Sequence, residues 1–207
     1  AGPLREGKLN TFEGGVRVPT LMSWPGKIPA GQVSDTPLMT IDLLPTFCKL
    51  AGAKLPTRKI DGVDATAQIL GQSDQPTHEA FAFYSGSELH AVRVGKWKLH
   101  FPHKYLTPRE DLRADGKPAG FGKLKPMSIT QSGVEGIASR HGYRVKNLPM
   151  SLFDLSEDIG ETTNLAAKYP EVVARLQQAA QQFRSELGDS LTGVTGSEVR
   201  IVGRNDR

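Results

Sequence analysis

The chain has 207 residues, a hydrophobic content of 38% and a formal net charge of +4. This length is enough for one or two domains with a sizeable core, and no apolar run approaches the roughly 20 residues of a membrane-spanning helix. The single cysteine, Cys48, excludes an intramolecular disulfide. Its apolar neighbours favour a small core residue over a nucleophile or a metal ligand.

The chain opens on a glycine-rich loop, predicted over residues 1–15, which holds one lysine, Lys8, among glycines. The paired glycines between Glu13 and Arg17 allow a backbone turn that Cβ atoms would obstruct. Glu13 and Arg17 are interpreted as structural residues that pair with each other or cap loop amides, with ligand contact as the second interpretation. Residues 1–6 have no apolar run, so we do not expect them to be part of a signal peptide. Because the sequence begins without Met inside this loop, we expect it to be the later part of a longer chain.

A strand and a helix are predicted next. The strand runs from Val16 to Trp24, with Pro19 at its start or on a sheet edge because proline lacks an N–H. The helix runs from Asp42 to Ala51, where apolar residues recur at three- and four-residue spacing. Asp42 is its predicted N-cap and Gly52 its C-terminal stop.

Residues 53–78 are predicted to be a surface connection with a short helical turn near Ala65 to Leu70, and a strand-rich region begins at about Glu79. Residues 80–84 are a predicted strand, and residues 89–94 and 96–101 are the predicted arms of an antiparallel hairpin. Apolar and polar side chains alternate in the second arm, which predicts one buried and one solvated face. The residues of the solvated face are Lys96, Lys98 and His100.

The last part of the chain is predicted to contain a long loop, a short strand and a helix. Residues 102–148 are rich in Gly, Pro and Lys, which is typical of a loop or insertion, and residues 152–155 form the strand. Pro170 suits the first position of a helix that ends near Leu187, and residues 189–207 are predicted to be a flexible tail. This order indicates the end of an α/β domain followed by a small α+β domain.

Positive charge is concentrated between residues 93 and 125, where a local excess of cations favours an anionic ligand. The competing interpretation is a solvated basic loop. We refer to these cations as the basic stretch: Arg93, Lys96, Lys98, Lys104, Arg109, Arg113, Lys117, Lys123 and Lys125.

Five blocks, in order, resemble the type I sulfatase family in its arylsulfatase and N-acetylgalactosamine-6-sulfatase branch. They cover about residues 3–187, whereas residues 102–150 match nothing in that family. The first block is the glycine-rich loop around Lys8, called the lysine loop below, with its continuation to Gly26. The others are the helix from Asp42, the connection at Asp61–Asp64, the hairpin at Ala91–Leu99, and the strand and turn at Leu152–Leu165.

The resemblance implies an alkaline phosphatase-like fold. Residues 1–78 are then the C-terminal end of the catalytic α/β domain. Residues 79–188 are a small α+β domain with an antiparallel sheet, a closing helix and a long loop at 102–150. The implied reaction is hydrolysis of aryl or carbohydrate sulfate esters. It requires a formylglycine and a divalent cation, usually calcium, and the formylglycine and the metal ligands are expected among residues that precede this chain. Cys48 lacks the Pro/Ala-x-Arg motif of a formylglycine precursor.

The resemblance also implies partners, a location and site residues. The partners are sulfated small molecules or carbohydrates, not nucleic acid or membrane, and the location is periplasmic or extracellular. Lys8 matches the lysine that contacts the sulfate, where a preorganised ammonium stabilises the charge of the transition state, and losing such a group typically costs about 2.7–4 kcal/mol. His90 and His103, at the mouth of the hairpin, are candidates for substrate binding, with an ordinary surface position as the alternative for each.

Two other functions fit the same residues. One is a non-catalytic anion- or glycan-binding module that uses the basic stretch and binds sulfated polymers by itself. The other is a phosphate or phosphonate ester hydrolase of the same superfold. A sulfatase fragment is instead expected to be inactive and poorly soluble alone, with an exposed apolar sheet edge near Val16 to Trp24.

Overall fold

The chain forms two units in the computed structural model, which describes residues 2–108, 134–136, 138 and 143–199. One unit consists of Ala1–Arg17 together with Ala80–Arg207, and the other is Val18–Glu79. The boundary after Glu79 adjoins the one predicted between residues 78 and 79, but the first part of the chain, through Arg17, groups with the C-terminal unit. None of the described helices combines the length and the apolar character that crossing a bilayer requires.

The N-terminal segment ends in a single helical turn, α1 (Glu13–Val16). The strand predicted from Val16 to Trp24 is therefore wrong, because residues 17–24 form no strand ladder. A strand needs a hydrogen-bonded neighbour, and the described residues of Val18–Glu79 contain no strand. Val18 is 77% exposed and Leu21 is 100% exposed, so these two apolar side chains lie largely in solvent.

Helix α2 (Leu43–Ala51) confirms the helix predicted for the Val18–Glu79 unit. It follows a short 3-10 turn, and its N-cap is Asp42 and its C-cap is Gly52, as predicted. Gly52 has a φ of 65°, a left-handed conformation that residues with a Cβ atom rarely adopt. The predicted turn near Ala65 is also confirmed, as α3 (Thr66–Ile69).

The larger unit is built on a four-stranded antiparallel sheet with the order β1–β2–β3–β6, beside a separate ladder of β4 and β5. The hairpin of β2 and β3 and the strand near residue 152 are confirmed. The six strands are β1 (Phe81–Ser85), β2 (Glu88–Val94), β3 (Trp97–His100), β4 (His103–Pro108), β5 (Tyr143–Leu148) and β6 (Ser151–Asp154).

The ladder of β4 and β5 shows that the prediction of a loop over residues 102–148 is wrong at both ends. His103 pairs with Leu148, and Tyr105 pairs with Lys146. Each strand is short, and its partner lies far away in the sequence, so local periodicity gives little indication of the pairing. The middle of the predicted loop, residues 109–133, lies outside the described residues.

Helix α4 (Pro170–Leu187) confirms the predicted closing helix at both ends. Its buried residues Leu176 and Ala180 pack in one cluster with Val92, Leu99 and Leu152 of the sheet. Full burial of a leucine or valine side chain stabilises a fold by about 1.5–3 kcal/mol. This cluster is therefore the main core of the larger unit.

The tail predicted to be flexible is wrong for residues 189–199, which pack back on the fold. Asp189 is only 1% exposed. Its carboxylate accepts hydrogen bonds from the Leu89 N–H at 3.1 Å and from Arg184 Nε at 2.8 Å. Asp189 thus joins α4 to the beginning of β2. Residues 200–207 lie outside the described residues.

The face of the hairpin predicted to be solvated is exposed at Lys96 but buried at its other two residues, which contradicts the prediction there. Lys98 and His100, on the supposedly solvated face, are each 0% exposed. The N-terminal segment covers them: Phe12 stacks on His100, and the Thr11 carbonyl accepts a hydrogen bond from Lys98. A period of two residues distinguishes the faces of a strand, but it does not reveal what covers each face.

Candidate functional site

The N-terminal loop turns back on itself and is closed by its own backbone. The Gly14 N–H donates a hydrogen bond to the Arg5 carbonyl at 2.9 Å. A Cβ atom at Gly14 would lie 2.3 Å from that carbonyl oxygen, and one at Gly15 would lie 2.1 Å from the Asn10 carbonyl oxygen. The predicted role of the paired glycines is confirmed, because only glycine permits these approaches.

A buried ion network anchors this loop to the sheet. The Lys98 ammonium donates hydrogen bonds to the Thr11 carbonyl at 2.7 Å and to Glu13 Oε1 at 2.8 Å, and it lies 3.2 Å from Glu161 Oε1. The predicted pairing of Glu13 with Arg17 is confirmed, with 2.5 Å between Oε2 and Nε. Charges removed this far from water are tolerated only with well-placed partners, so the network fixes the loop relative to β3.

The two carboxylates of the network have opposite pKa shifts. Burial raises the pKa of Glu161 above its ordinary value, and Lys98 opposes this only in part. Burial also acts to raise the pKa of Glu13, but Lys98 and Arg17 together outweigh it and lower the pKa. Glu161 is therefore the first of the two to bind a proton as the pH falls.

Four aromatic rings stack in a row beside the network. The ring centroids are 4.7 Å apart between Phe12 and His100, 5.6 Å between His100 and His103, and 3.8 Å between His103 and His90. Burial, and secondly the charge of Lys98, hold the pKa of His100 well below its ordinary range. The row joins the N-terminal loop to β2, β3 and β4 through closely stacked rings.

His103 and His90 differ in the ring nitrogens that they leave available. His103 Nδ1 lies 2.7 Å from the Phe101 carbonyl oxygen, so Nδ1 carries the proton and donates it. Burial, followed by the nearby His90, lowers the pKa of His103 to about 3, so its Nε2 is a neutral acceptor. Among the residues that the structure describes, this nitrogen has no hydrogen-bond partner. Both nitrogens of His90 are engaged, Nε2 with Glu88 at 2.9 Å and Nδ1 with Thr11 Oγ1 at 3.5 Å.

A cavity of about 830 Å³ lies beside these two histidines. Leu9 and Asn10 form part of its wall, so the two residues that follow Lys8 in the loop line the cavity. The Asn10 side-chain amide donates to the Leu106 carbonyl at 2.8 Å, which orients the group. Its Oδ1 has no hydrogen-bond partner in the described part of the chain.

The predicted site residues come from three different elements. Lys8 is exposed in the loop, His90 lies in β2 and His103 lies in β4, and both histidines line the cavity. Sequence reasoning missed Asn10 as a wall residue and missed the anchoring residues, which are Lys98, His100 and Glu161. The alternation in β3 was the available signal for Lys98 and His100, but it was assigned to a solvated face.

Much of the basic stretch that the structure describes is neutralised by carboxylates. Lys98 is buried in the ion network, Lys96 lies 2.7 Å from Asp154 Oδ2, and Lys104 lies 2.6 Å from Glu135 Oε1. Paired cations attract a further anion less than free ones, so this part of the chain gives little support to an anion-binding module. Arg93 donates a hydrogen bond from Nε to the Gly95 carbonyl at 2.8 Å. The other cations of the basic stretch lie outside the described residues: Arg109, Arg113, Lys117, Lys123 and Lys125.

The described residues contain no group of three or more His, Cys, Asp or Glu side chains that could hold a metal ion. Their buried carboxylates are already committed, Glu13 to Lys98 and Arg17, and Asp189 to Arg184. The resemblance places the calcium ligands in residues that precede this chain, and that assignment stays a prediction.

Two family profiles match overlapping parts of the chain. The profile of the C-terminal region of aryl-sulfatase matches residues 76–197, more than half of the chain. The profile of N-sulphoglucosamine sulphohydrolase, C-terminal, matches residues 7–101, which include the lysine loop and the hairpin. The chain belongs to the sulfatase family. The resemblance carried by the five sequence blocks is thereby confirmed.

Two relatives illustrate how much of a sulfatase is present. Arylsulfatase A of Bos taurus is 40% identical over 188 residues, which are 88% of this chain and 32% of that protein. N-acetylgalactosamine-6-sulfatase of Canis lupus familiaris is 34% identical over 190 residues, which are 90% of this chain and 34% of that protein. The chain therefore spans about a third of the length of these relatives.

A solved structure from a study of the metabolism of multiple glycosaminoglycans by Bacteroides thetaiotaomicron has a similar fold. The TM-score is 0.63 at 22% sequence identity, over 89% of this chain and 32% of that one. The predicted fold class, the C-terminal part of a sulfatase with a small antiparallel sheet and a closing helix, is confirmed.

Proposed function

We propose that this sulfatase chain is part of an enzyme that hydrolyses aryl or carbohydrate sulfate esters, with the N-terminal loop as one wall of the active site. Membership of the family supports the reaction class. The anchoring of the loop supports the location, since Lys8 lies between Arg5, which is hydrogen-bonded to Gly14 and to the Glu161 carbonyl, and the cavity wall at Leu9 and Asn10. In this proposal the formylglycine and the calcium site are supplied by residues outside this chain.

Lys8 is the residue that we assign to the sulfate group. Its side chain is exposed on a loop whose ends are fixed, so the ammonium reaches the substrate from a backbone that does not need to reorganise. Negative charge develops on the nonbridging oxygens as the ester bond breaks, and a fixed cation stabilises it. The compact charge and long stem of lysine suit this contact.

The substitution Lys8→Ala in the complete enzyme tests this assignment. We expect kcat/KM for 4-nitrophenyl sulfate to fall by roughly 10²–10³-fold, with no change in the thermal midpoint because Lys8 is exposed. Lys27→Ala, which removes an exposed lysine of the other unit, is the control and should keep full activity.

Two results would contradict the proposal at different levels. If Lys8→Ala keeps kcat/KM within about twofold of the wild type, Lys8 does not contact the sulfate. If the wild-type enzyme hydrolyses neither aryl nor carbohydrate sulfates, the reaction class itself is wrong.

A further inference from the structure

Strained backbone is concentrated near Lys8 in the part of the chain that the structure describes. Three residues other than glycine have a positive φ there, namely Glu6 at 59°, Leu9 at 83° and Glu161 at 50°. Glu6 and Leu9 lie two residues before and one residue after Lys8. Residues with a Cβ atom rarely adopt this conformation, and they keep it only where the surrounding structure imposes it.

Lys8 lies at the centre of a turn that one backbone hydrogen bond closes. The Asn10 N–H donates to the Gly7 carbonyl at 3.1 Å, which leaves Lys8 and Leu9 as the two central residues. A positive φ at the second central position is usual for glycine, whereas this turn has a leucine there. One hydrogen bond stabilises a turn by no more than such strain costs. The conformation of the turn therefore depends on how the ends of the loop are held.

Arg5 closes the base of this loop through its backbone and through its side chain. Its carbonyl accepts a hydrogen bond from the Gly14 N–H at 2.9 Å, and its guanidinium carbon lies 4.1 Å from the centre of the Phe12 ring. The same guanidinium donates from Nη1 to the Glu161 carbonyl at 2.7 Å and from Nη2 to the Tyr105 hydroxyl at 3.1 Å. Arg5 thus joins the beginning of the loop to its end, to the turn that follows β6 and to β4.

The contacts of Arg5 indicate a role in positioning and not in contact with the sulfate. Both terminal nitrogens of the guanidinium are bound to protein oxygens, and its face lies on the Phe12 ring. Lys8, three residues later, has an exposed side chain. A cation stabilises a transition state only while its position is held, and a displacement of about 1 Å can lower the rate on the order of 10²-fold.

We propose that Arg5 is a positioning residue for the sulfatase reaction, which holds the strained turn in the conformation that brings the Lys8 ammonium to the sulfate. The inference rests on the proposed function and deepens it: Lys8 makes the contact, and Arg5 fixes where that contact is made. Because the effect of Arg5 passes through Lys8, it should disappear when the lysine is absent.

Kinetics of the complete enzyme test this role with Arg5→Met, which keeps an unbranched side chain against Phe12 and removes both donors. We expect kcat for 4-nitrophenyl sulfate to fall roughly tenfold or more and KM to stay within about twofold, because the loss falls on the transition state. Arg175→Met, at an exposed position of α4, is the matched control and should change neither value. An unchanged kcat in Arg5→Met would overturn the inference.

Arg5→Lys is the second variant, for the case that Arg5→Met does not fold. It keeps the positive charge, but a single ammonium cannot replace the two guanidinium nitrogens that are bound to Glu161 and Tyr105. We expect kcat to fall in this variant too, again with little change in KM. Wild-type kcat in a folded Arg5→Lys enzyme would contradict the need for both hydrogen bonds and overturn the inference.

A double-mutant cycle with Lys8→Ala tests whether the effect of Arg5 passes through the lysine. In the Lys8→Ala enzyme, the further change Arg5→Met should lower kcat by less than about twofold. An equal loss with and without Lys8 would overturn the inference, since Arg5 would then act on the substrate directly or on the fold as a whole.

Hydrogen–deuterium exchange of the complete enzyme separates this inference from the proposed reaction. In Arg5→Met we expect the amides of residues 6–15 to exchange roughly tenfold faster than in the wild type, because the hydrogen bonds that hold the loop are lost. The amides of β3 should keep their wild-type rates. Unchanged exchange in the loop refutes the inference even if the enzyme hydrolyses sulfate esters. Faster exchange in an enzyme that hydrolyses no sulfate ester preserves the hold of Arg5 on the loop and removes the proposed reaction.

Discussion

Lys98 is the residue on which the position of the N-terminal loop depends. Its ammonium is completely buried and is shared by the Thr11 carbonyl and the carboxylates of Glu13 and Glu161. One side chain of β3 thus holds both the loop that carries Lys8 and the turn that follows β6. Removing one member of such a network destabilises the fold far more than weakening one interaction does, because it leaves an uncompensated charge in the interior.

We expect Lys98→Met to lower the free energy of unfolding by about 3–5 kcal/mol, since Glu13 and Glu161 would remain buried without their cation. Lys96→Met is the control, because Lys96 is exposed and pairs with Asp154 at the surface. Lys96→Met should change the free energy of unfolding only slightly. Urea unfolding monitored by tryptophan fluorescence measures both, and similar values for the two variants would contradict the importance of the network.

The buried histidines predict a fold that loses stability in acid. Burial lowers the pKa of His103 to about 3, whereas an unfolded histidine binds its proton near pH 6.5. Between these values the unfolded state holds more protons than the folded state, so the free energy of unfolding decreases as the pH falls. His103→Phe should reduce that slope by up to about 1.4 kcal/mol per pH unit between roughly pH 6 and pH 4. Unfolding at a series of pH values tests this, and an unchanged slope would mean that folded His103 is protonated.

Helix α1 shows how an element too short to be stable alone is held by its surroundings. A single turn has few internal hydrogen bonds to offset the cost of ordering its backbone. Glu13, its first residue, is tied through its N–H to Glu161 Oε2 at 2.6 Å and through its carboxylate to Lys98. Gly15, in the same turn, lies against the Asn10 carbonyl. The geometry of α1 therefore determines where Asn10, and with it the cavity wall, is placed.

Gly15→Ala is expected to lower the free energy of unfolding by about 1–3 kcal/mol, because the new Cβ would lie 2.1 Å from the Asn10 carbonyl oxygen. Gly7→Ala is a matched control in the same loop, since a Cβ at Gly7 has no atom within 4 Å. Urea unfolding with an unchanged m value measures the difference. If both variants have the same stability, the close approach at Gly15 does not constrain the loop.

At the scale of the whole molecule, the unit Val18–Glu79 exposes more apolar surface than a stable independent domain usually does. Leu21 is 100% exposed, Val33 is 92% exposed and Phe47 is 55% exposed. Exposed apolar area promotes association. The expected poor solubility of this chain by itself therefore remains a prediction, now based on individual side chains and not on a sheet edge.

The double variant Leu21→Lys/Val33→Lys should raise the solubility of the 207-residue chain without lowering its thermal midpoint, because both side chains project into solvent. Thr20→Lys/Ala30→Lys adds the same charge at exposed positions without removing large apolar side chains. Precipitation assays with ammonium sulfate compare them. Equal solubility of the two double variants would show that charge alone, and not apolar exposure, limits solubility.

The sequence was sufficient to predict the elements that are indicated by patterns among neighbouring residues. The apolar spacing and end residues of α2 and α4, and the alternation with a central glycine in the β2–β3 hairpin, indicated the structures that formed. Each depends on interactions among residues close in sequence. The paired glycines and the Glu13–Arg17 pair of the N-terminal loop were predictable for the same reason.

By itself, then, the sequence determined the helices, the hairpin, the family and the lysine loop. Only the tertiary structure decided that Lys98 and His100 are buried, because their partners Glu13 and Glu161 lie 85 and 61 residues away. Local patterns describe which side chains share a face, whereas burial, pKa and hydrogen-bonding role depend on what the rest of the chain places against that face. The same reason explains why His103 was expected at the open mouth of the hairpin and instead lies in a buried row of rings, as a neutral acceptor.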